Sequence, residues 1–364
     1  MKNSNVYYIN ATVQKKSKII LTHRFWLQLS NFIKTNNFQR VVYVSDDLVV
    51  EKLNLLKKIS VDDLCVINHG EQQKNIEQFS NILTFFYKEN IDKKSLVVVI
   101  GGGMVSDITG FASSVYYRGV PLAYVPTTLL SQVDAAIGGK NTINFLDTKN
   151  IVGNFYLPNL IIIDPTLIKS LPKREIASGM AEIIKYAVGF DKKLLLLLEK
   201  MNDKHSESNR QEELFELIKR SVAIKTKLVE QDLYETGKKR KLLNLGHTLG
   251  QALESQDNFS LSHGEAVSIG LLFSLFISKS FGNISQAEFE RCLAIFKKYN
   301  LPPKIQFSIS YTMQRLHYDK KSYYGGINFI LLKKLGQSYI CQMNFNDIQS
   351  QLESFQKFYY SLEG

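Results

Sequence analysis

Cysteine is scarce in this chain of 364 residues: three in all, Cys65, Cys292 and Cys341. Their odd number, scatter and lack of any C-x-x-C spacing exclude a disulfide framework and a thiolate zinc site, and they fit a reducing compartment. Long hydrophobic runs are also missing. The longest apolar stretches, residues 194–198 and 269–277, fall well short of the ~20 residues that span a bilayer, so no membrane partner is expected. Residues 1–11 hold no apolar core followed by a small-residue cleavage site, so a leader is not expected either. A cytoplasmic location is the simplest reading. The G-x-G-x-x-G fingerprint of ordinary dinucleotide-binding turns is absent as well.

Charge is present in excess of one sign, with 45 Lys and Arg against 34 Asp and Glu, a formal +11. A nucleic-acid binder would cluster these on one face with base-stacking aromatics. Here lysines are spread through the chain in pairs, and no nucleic-acid motif accompanies them, so that partner class is excluded. A pocket for an anionic substrate accounts for the charge instead. The one dense run is Lys238-Lys239-Arg240-Lys241, whose position beside the strongest motif marks a phosphate-binding edge; its two leading lysines read as exposed loop.

The first half alternates strand and helix signals. Short β-branched runs at residues 41–45, 64–68, 96–100, 121–125 and 160–164 are separated by segments of helical spacing such as 75–87. Runs buried on both faces in this arrangement predict a parallel α/β sheet. After Pro172 the 3.6-residue period dominates, at 174–188, 194–201, 212–229, 248–255, 264–281 and 287–299, with strands returning only at 329–332 and 338–341. Residues 201–211 read as a polar loop. Two domains are expected, 1–171 and 172–364, the first an α/β sheet domain and the second mainly helical.

Three groups of residues carry chemistry. Gly101-Gly102-Gly103 directly follows the 96–100 strand and opens a helical segment. A turn like this brings backbone N–H groups and a helix N-terminus to a pyrophosphate, although a plain tight turn has the same pattern. Asp134, Lys140, Lys149 and Asn150 fall in a stretch too polar and glycine-rich for core, with cations for phosphate and groups that fix hydroxyls. Glu182 lies in an apolar helix three residues from Lys185, on the same face, either as an ion pair or as a ligand. His247 and His263, two of only six histidines, sit beside glycines where helical segments start. One Glu and two His suit a zinc site with an open position.

The stretches GGGMVSD, RGVPLAYVPTTLLSQVDAAIGGK, KNIVGNF, LPKREIASGMAEIIKY, LLNLGHT, SHGEAV and DKK occur in this order over residues 71–336. Together they resemble the 3-dehydroquinate synthase family, within the wider sugar-phosphate cyclases. The resemblance implies a Rossmann-like NAD-binding domain, then a helical metal-binding domain, usually in a homodimer. It implies a metal, zinc or cobalt, held by Glu182, His247 and His263. It implies NAD contacts from Asp46, Glu71, Lys74, Gly102, Gly103, Asp107, Thr127, Thr128, Lys140, Lys149, Ser170 and Glu175. For the phosphorylated sugar-acid substrate it implies Arg118, Asp134, Lys140, Asn150, Lys185, Lys225, Glu235, Arg240, Asn244 and the pair Lys320 and Lys321. The implied reaction turns 3-deoxy-D-arabino-heptulosonate 7-phosphate into 3-dehydroquinate and phosphate by transient oxidation, elimination, reduction and aldol closure.

The chain departs from the family at four places. Gln251 stands where a second histidine usually follows the ligand histidine by one helical turn, and a neutral amide carries no positive charge. One residue is inserted after Gly237, Asn141 replaces a usual Thr, and Ser170 replaces another. Gln251 is the argument for the alternative, a cyclase for another sugar phosphate of an aminocyclitol-type pathway. A polyol dehydrogenase is disfavoured by the many phosphate-directed cations, and a catalytically silent relative by the retained ligand trio.

Overall fold

The computed structural model describes residues 16–146, 148–169, 171–201, 206–256, 261–319, 321–323 and 325–362. In chain order its first half contains β1 (Lys18–Leu21), α1 (Phe25–Asn36), β2 (Arg40–Asp46), α2 (Asp47–Lys52), β3 (Leu64–Ile67), α3 (Ile76–Lys88), β4 (Ser95–Gly101), α4 (Gly103–Val115), β5 (Leu122–Pro126), β6 (Lys140–Phe145), β7 (Thr148–Phe155) and β8 (Leu160–Ile163). Six of these strands form one sheet in the order β1-β8-β5-β4-β2-β3, and every pairing in it is parallel. The expected α/β class is therefore present.

β4 shows why the sheet forms. All seven of its residues are buried. Val97 and Val99 enter one core, while Leu96, Val98 and Ile100 enter the other, as the two-residue period of a strand requires. From β2 the chain moves outward to β3, then returns to β4 and proceeds the opposite way to β5. The crevice between the carboxyl ends of β2 and β4 is thus a topological switch point, where open α/β sheets bind ligands.

β6 and β7 pair antiparallel as a separate hairpin. This hairpin was not expected, because its polar residues and exposed Phe145, Leu146 and Ile151 hide the alternation of a half-buried strand. It lies against α4, anchored where the Tyr124 hydroxyl donates to Asn141 Oδ1 at 2.7 Å.

The second half carries α5 (Lys173–Phe190), α6 (Lys192–Lys200), α7 (Glu207–Gln231), α8 (His247–Gln256), α9 (His263–Ser280), α10 (Gln286–Lys298), α11 (Ile309–His317), β9 (Ser322–Tyr323), β10 (Gly326–Lys334), β11 (Gln337–Asn344) and α12 (Phe345–Ser361). The polar stretch expected as loop is partly helix. Ser206 caps α7 by accepting from Asn209 N at 3.3 Å, so the helix starts earlier than its apolar period suggests. Among the described residues no helix is long and apolar enough to cross a membrane.

α5, α8 and α9 pack at backbone contact. A Cβ on Gly270 would lie 1.8 Å from Gly246 O, and one on Gly264 would lie 2.2 Å from Ser178 O. Only glycine permits helices this close, and this closeness brings Glu182 toward the first residues of α8 and α9.

Candidate active site

Glu182 is fully buried on α5. His247 opens α8, and His263 opens α9 just after Ser262, whose side chain forms a capping box with Glu265. The three side chains converge, with one ligand atom from each lying within 4.8 Å of the others. His247 Nε2 is 3.5 Å and His263 Nε2 is 3.3 Å from Glu182 Oε1. Around a tetrahedral zinc with bonds of about 2.0 Å, ligand atoms are about 3.3 Å apart, so these separations fit a cation.

The tautomers fit too. His247 Nδ1–H donates to Leu245 O at 3.1 Å, and His263 Nδ1–H donates to Glu254 Oε1 at 3.1 Å. A backbone carbonyl and a carboxylate only accept, so each Nδ1 carries the hydrogen and each Nε2 is turned toward Glu182. Burial, helped by the Lys185 ammonium, pushes His247 down to about 3. Burial also opposes charge on His263, but its bonds to Glu182 and Glu254 outweigh that and raise it to about 10. For Glu182 burial alone would favour the neutral acid; Lys185 more than offsets it and takes the carboxyl to about 2.

Beside this trio lies a cationic cluster. Lys185, also fully buried, pairs with Glu182 and approaches Asp134 Oδ1 at 3.6 Å. The ion-pair reading and the ligand reading of Glu182 therefore hold together, since Lys185 engages Oε2 while the histidines face Oε1. Lys225 on α7 reaches Asp134 Oδ1 at 2.8 Å and donates to Asp134 O at 2.6 Å. The Tyr186 hydroxyl donates to the same carboxylate. Asp134 sits on a π turn over residues Ser131–Ala135 after β5, which carries it across to α5 and α7. Despite burial, Lys225 and Lys185 hold the Asp134 carboxyl well below the usual range. Burial lowers Lys225 to about 8, against the pull of Asp134.

Lys140 pairs with Glu235, whose other oxygen accepts from Asn244 Nδ2 at 3.0 Å. Arg240 is buried and donates to Leu233 O and to Gly138 O, whereas Lys238 and Lys239 are exposed, as expected of those two. Lys321 contacts Asp319 Oδ2 at 2.9 Å and donates to Gln251 Oε1 at 3.2 Å. Lys320 and Ser170 lie outside the described residues.

The glycine turn forms the other edge. Gly102 is the N-cap of α4 and offers no side chain to the free N–H groups; a Cβ there would come within 3.1 Å of Thr128 Cγ2. A dinucleotide phosphate fits such a turn, which leaves backbone donors uncovered at a helix N-terminus. Asp46 caps α2 at the end of β2, accepting from Val49 N at 2.9 Å, and Thr127 and Thr128 follow β5. Lys74 binds Asp107 Oδ2 and Asn150 Oδ1, each at 2.5 Å, and Glu71 Oε1 accepts from Asn144 Nδ2 at 3.0 Å. These contacts dock the hairpin on the turn before α3 and on α4. Lys149 Nζ on β7 stands 4.0 Å from Glu254 Oε2, so the hairpin reaches the metal edge. Glu175 is in the first turn of α5. Arg118 lies exposed beyond the C-terminal end of α4 with a left-handed backbone, φ 59°; among the described residues no hydrogen bond or ion pair links it to the cluster.

Two residues of the site escaped the sequence reading. Tyr186 resembled core, and its hydroxyl partner is remote in sequence. Glu254 had a usable signal: it follows His247 by two helical turns on the same face.

Comparison with known proteins bears on this geometry. Residues 64–178 match the family described as 3-dehydroquinate synthase N-terminal, and residues 179–322 the one described as 3-dehydroquinate synthase C-terminal. The sequence is 39% identical to a 3-dehydroquinate synthase of Pyrococcus abyssi, over 75% of this chain and 79% of that protein. In structure it is similar to 2-epi-5-epi-valiolone synthase of Streptomyces hygroscopicus with NAD+ and Zn2+ bound. The TM-score there is 0.85 at 24% identity, covering 97% of this chain and 100% of that one. It is also similar to 2-deoxy-scyllo-inosose synthase complexed with carbaglucose-6-phosphate, NAD+ and Co2+. That match has a TM-score of 0.78 at 20% identity, covering 93% and 96%. At these identities the two structures establish the fold.

Proposed function

The chain belongs to the 3-dehydroquinate synthase family, and from that premise we propose that it converts 3-deoxy-D-arabino-heptulosonate 7-phosphate into 3-dehydroquinate and phosphate. The observation that carries this reading is the meeting of Glu182, His247 and His263 beside the Asp134–Lys185–Lys225 cluster. A cation held by these three side chains would keep room for a substrate hydroxyl.

Glu182, His247 and His263 would hold zinc or cobalt, which would lower the pKa of a substrate hydroxyl, and the glycine turn would hold NAD+, which would supply reversible hydride transfer; these are the cofactors that the similar cyclase structures hold. The chain's own residues do the rest. Asp134 and Asn244 orient hydroxyls. Lys140, Lys225, Arg240 and Lys321 supply positive charge where phosphate departs, and preorganised charge of this kind stabilises a leaving anion. Lys185 balances Glu182 and Asp134 at once, so the ligand carboxylate stays ionised in a dry site. Because phosphate leaves by elimination and no net oxidation remains, the enzyme is a carbon–oxygen lyase. A division at 171/172 into NAD and metal domains, a homodimer and a cytoplasmic location complete the reading. Arg118, exposed in one chain, takes part in phosphate binding only if the dimer or a closure brings it to the site.

The test uses purified protein with NAD+, Zn2+ or Co2+ and the heptulosonate phosphate, following inorganic phosphate and dehydroquinate together. Equal release of both products is expected; absence of both sinks the proposal. The second reading, a cyclase for another sugar phosphate, draws on Gln251. Lys321 already places an ammonium beside Gln251, so Gln251→His is expected to change kcat/KM by less than about tenfold. A larger gain with the heptulosonate phosphate would favour the second reading, because Gln251 would then be what unfits the parent chain for that substrate.

A further inference from the structure

Glu254 is neither a ligand nor part of any motif in the sequence, yet it is buried at the centre of the site, 8% exposed. Its two oxygens face two different elements. Oε1 accepts from His263 Nδ1–H at 3.1 Å, and Oε2 lies 4.0 Å from the Lys149 ammonium on β7. A carboxylate accepts and a ring N–H donates, so Glu254 keeps a hydrogen on His263 Nδ1 and leaves Nε2 directed at the point shared with Glu182 and His247. His247 receives the same constraint from the Leu245 carbonyl, a backbone group set by the turn into α8. His263 has no such backbone acceptor among the described residues. It stands on the first residue of α9, and the Glu254 carboxylate is the partner that faces its Nδ1.

We propose that Glu254 is a positioning residue for the metal site, fixing the rotation and tautomer of His263 while Lys149 braces its second oxygen from the hairpin. The inference rests on the reading of the trio as a metal site. Partners of this kind typically govern metal affinity by about 10- to 100-fold.

The experiment measures Zn2+ affinity of the full chain by competition with a chromogenic chelator, and records the visible spectrum of the Co2+ form. Glu254→Ala is expected to weaken Zn2+ binding by about 10- to 100-fold and to shift the Co2+ bands. Glu254→Gln keeps an acceptor oxygen and is expected to lose less, about three- to tenfold. A residue that only supported the fold would lower the unfolding midpoint and leave the affinity and the Co2+ spectrum of the folded protein unmoved. If Glu254→Ala does not fold, the near-isosteric Glu254→Gln decides. Affinity within about twofold of the parent in the deciding variant overturns the inference while the metal reading stands. A parent chain that binds no Zn2+ overturns both.

Discussion

The glycine turn at the carboxyl end of an interior strand is made inside one strand-to-helix connection, from β4 to α4, whereas the metal trio is assembled from residues 182, 247 and 263 on three helices. Each has an ion pair beside it, and the two pairs differ in kind. Lys74 and Asp107 meet with side chains 5% and 18% exposed, and Lys74 has Asn150 as a second acceptor. Lys185 and Glu182 meet at 1% and 0%. The first pair docks a hairpin near water. The second carries charge into a dry interior, where removing one partner strands the other.

The largest expected effect tests that contrast directly. Glu182→Ala leaves Lys185 buried beside Asp134 alone, and should cost about 3–5 kcal/mol of stability along with Zn2+ binding. Asp107→Ala should cost clearly less, because Lys74 keeps Asn150. Urea unfolding of both variants reads the difference, and equal losses would break the comparison. Next in size are the glycines. Gly270→Ala drives a methyl into Gly246 O and should cost about 1–3 kcal/mol and weaken metal binding. Gly103→Ala meets only Ala135 Cβ at an ordinary 3.4 Å. It should leave the unfolding midpoint nearly unchanged while raising the Kd for NAD+, measured by fluorescence titration.

A pH experiment sharpens the metal side. In the metal-free protein His263 titrates at about 10, while His247 at about 3 and Glu182 at about 2 are already unprotonated near neutrality. Zn2+ must therefore displace one proton, and its apparent affinity should rise about tenfold per unit of pH in the neutral range. Calorimetry in buffers of different ionisation enthalpy counts that proton; a count of zero contradicts the assignment. The stability of the metal-free chain should run the other way. A raised His263 contributes stability that is fully present below its ordinary 6.5 and is lost as pH climbs through 10. Smallest of all, Asp46→Ala removes one N-cap bond from α2 and should cost about 1 kcal/mol, visible as a small drop in Tm.

How much of this was legible follows the same line. Five of the six parallel strands were read correctly because a run such as residues 96–100 is apolar on both faces. The helices α5 to α10 were read from their period, although the start of α7 depends on the Ser206 cap and was placed too late. β1, α11 and α12 carried too short or too mixed a pattern to stand out. The β6–β7 hairpin was missed because its side chains meet the turn before α3 through polar groups, and polar contacts leave no periodic trace. In the site, the glycines and histidines announced themselves by residue type. Tyr186 and Glu254 did not, since a buried tyrosine and a helical glutamate acquire a role only from what stands opposite them.

By itself the sequence determined the class of fold, the family, and the side chains able to hold a cation or face a phosphate, because these follow from local pattern and residue chemistry. Only the tertiary structure decided that Glu182 shares its two oxygens between Lys185 and the histidines, that Asp134 gathers Lys185, Lys225 and Tyr186, and that Glu254 stands behind His263. Those outcomes depend on helices approaching to backbone contact at Gly264 and Gly270. Such distances are set by packing across the whole core, and no stretch of neighbouring residues encodes them.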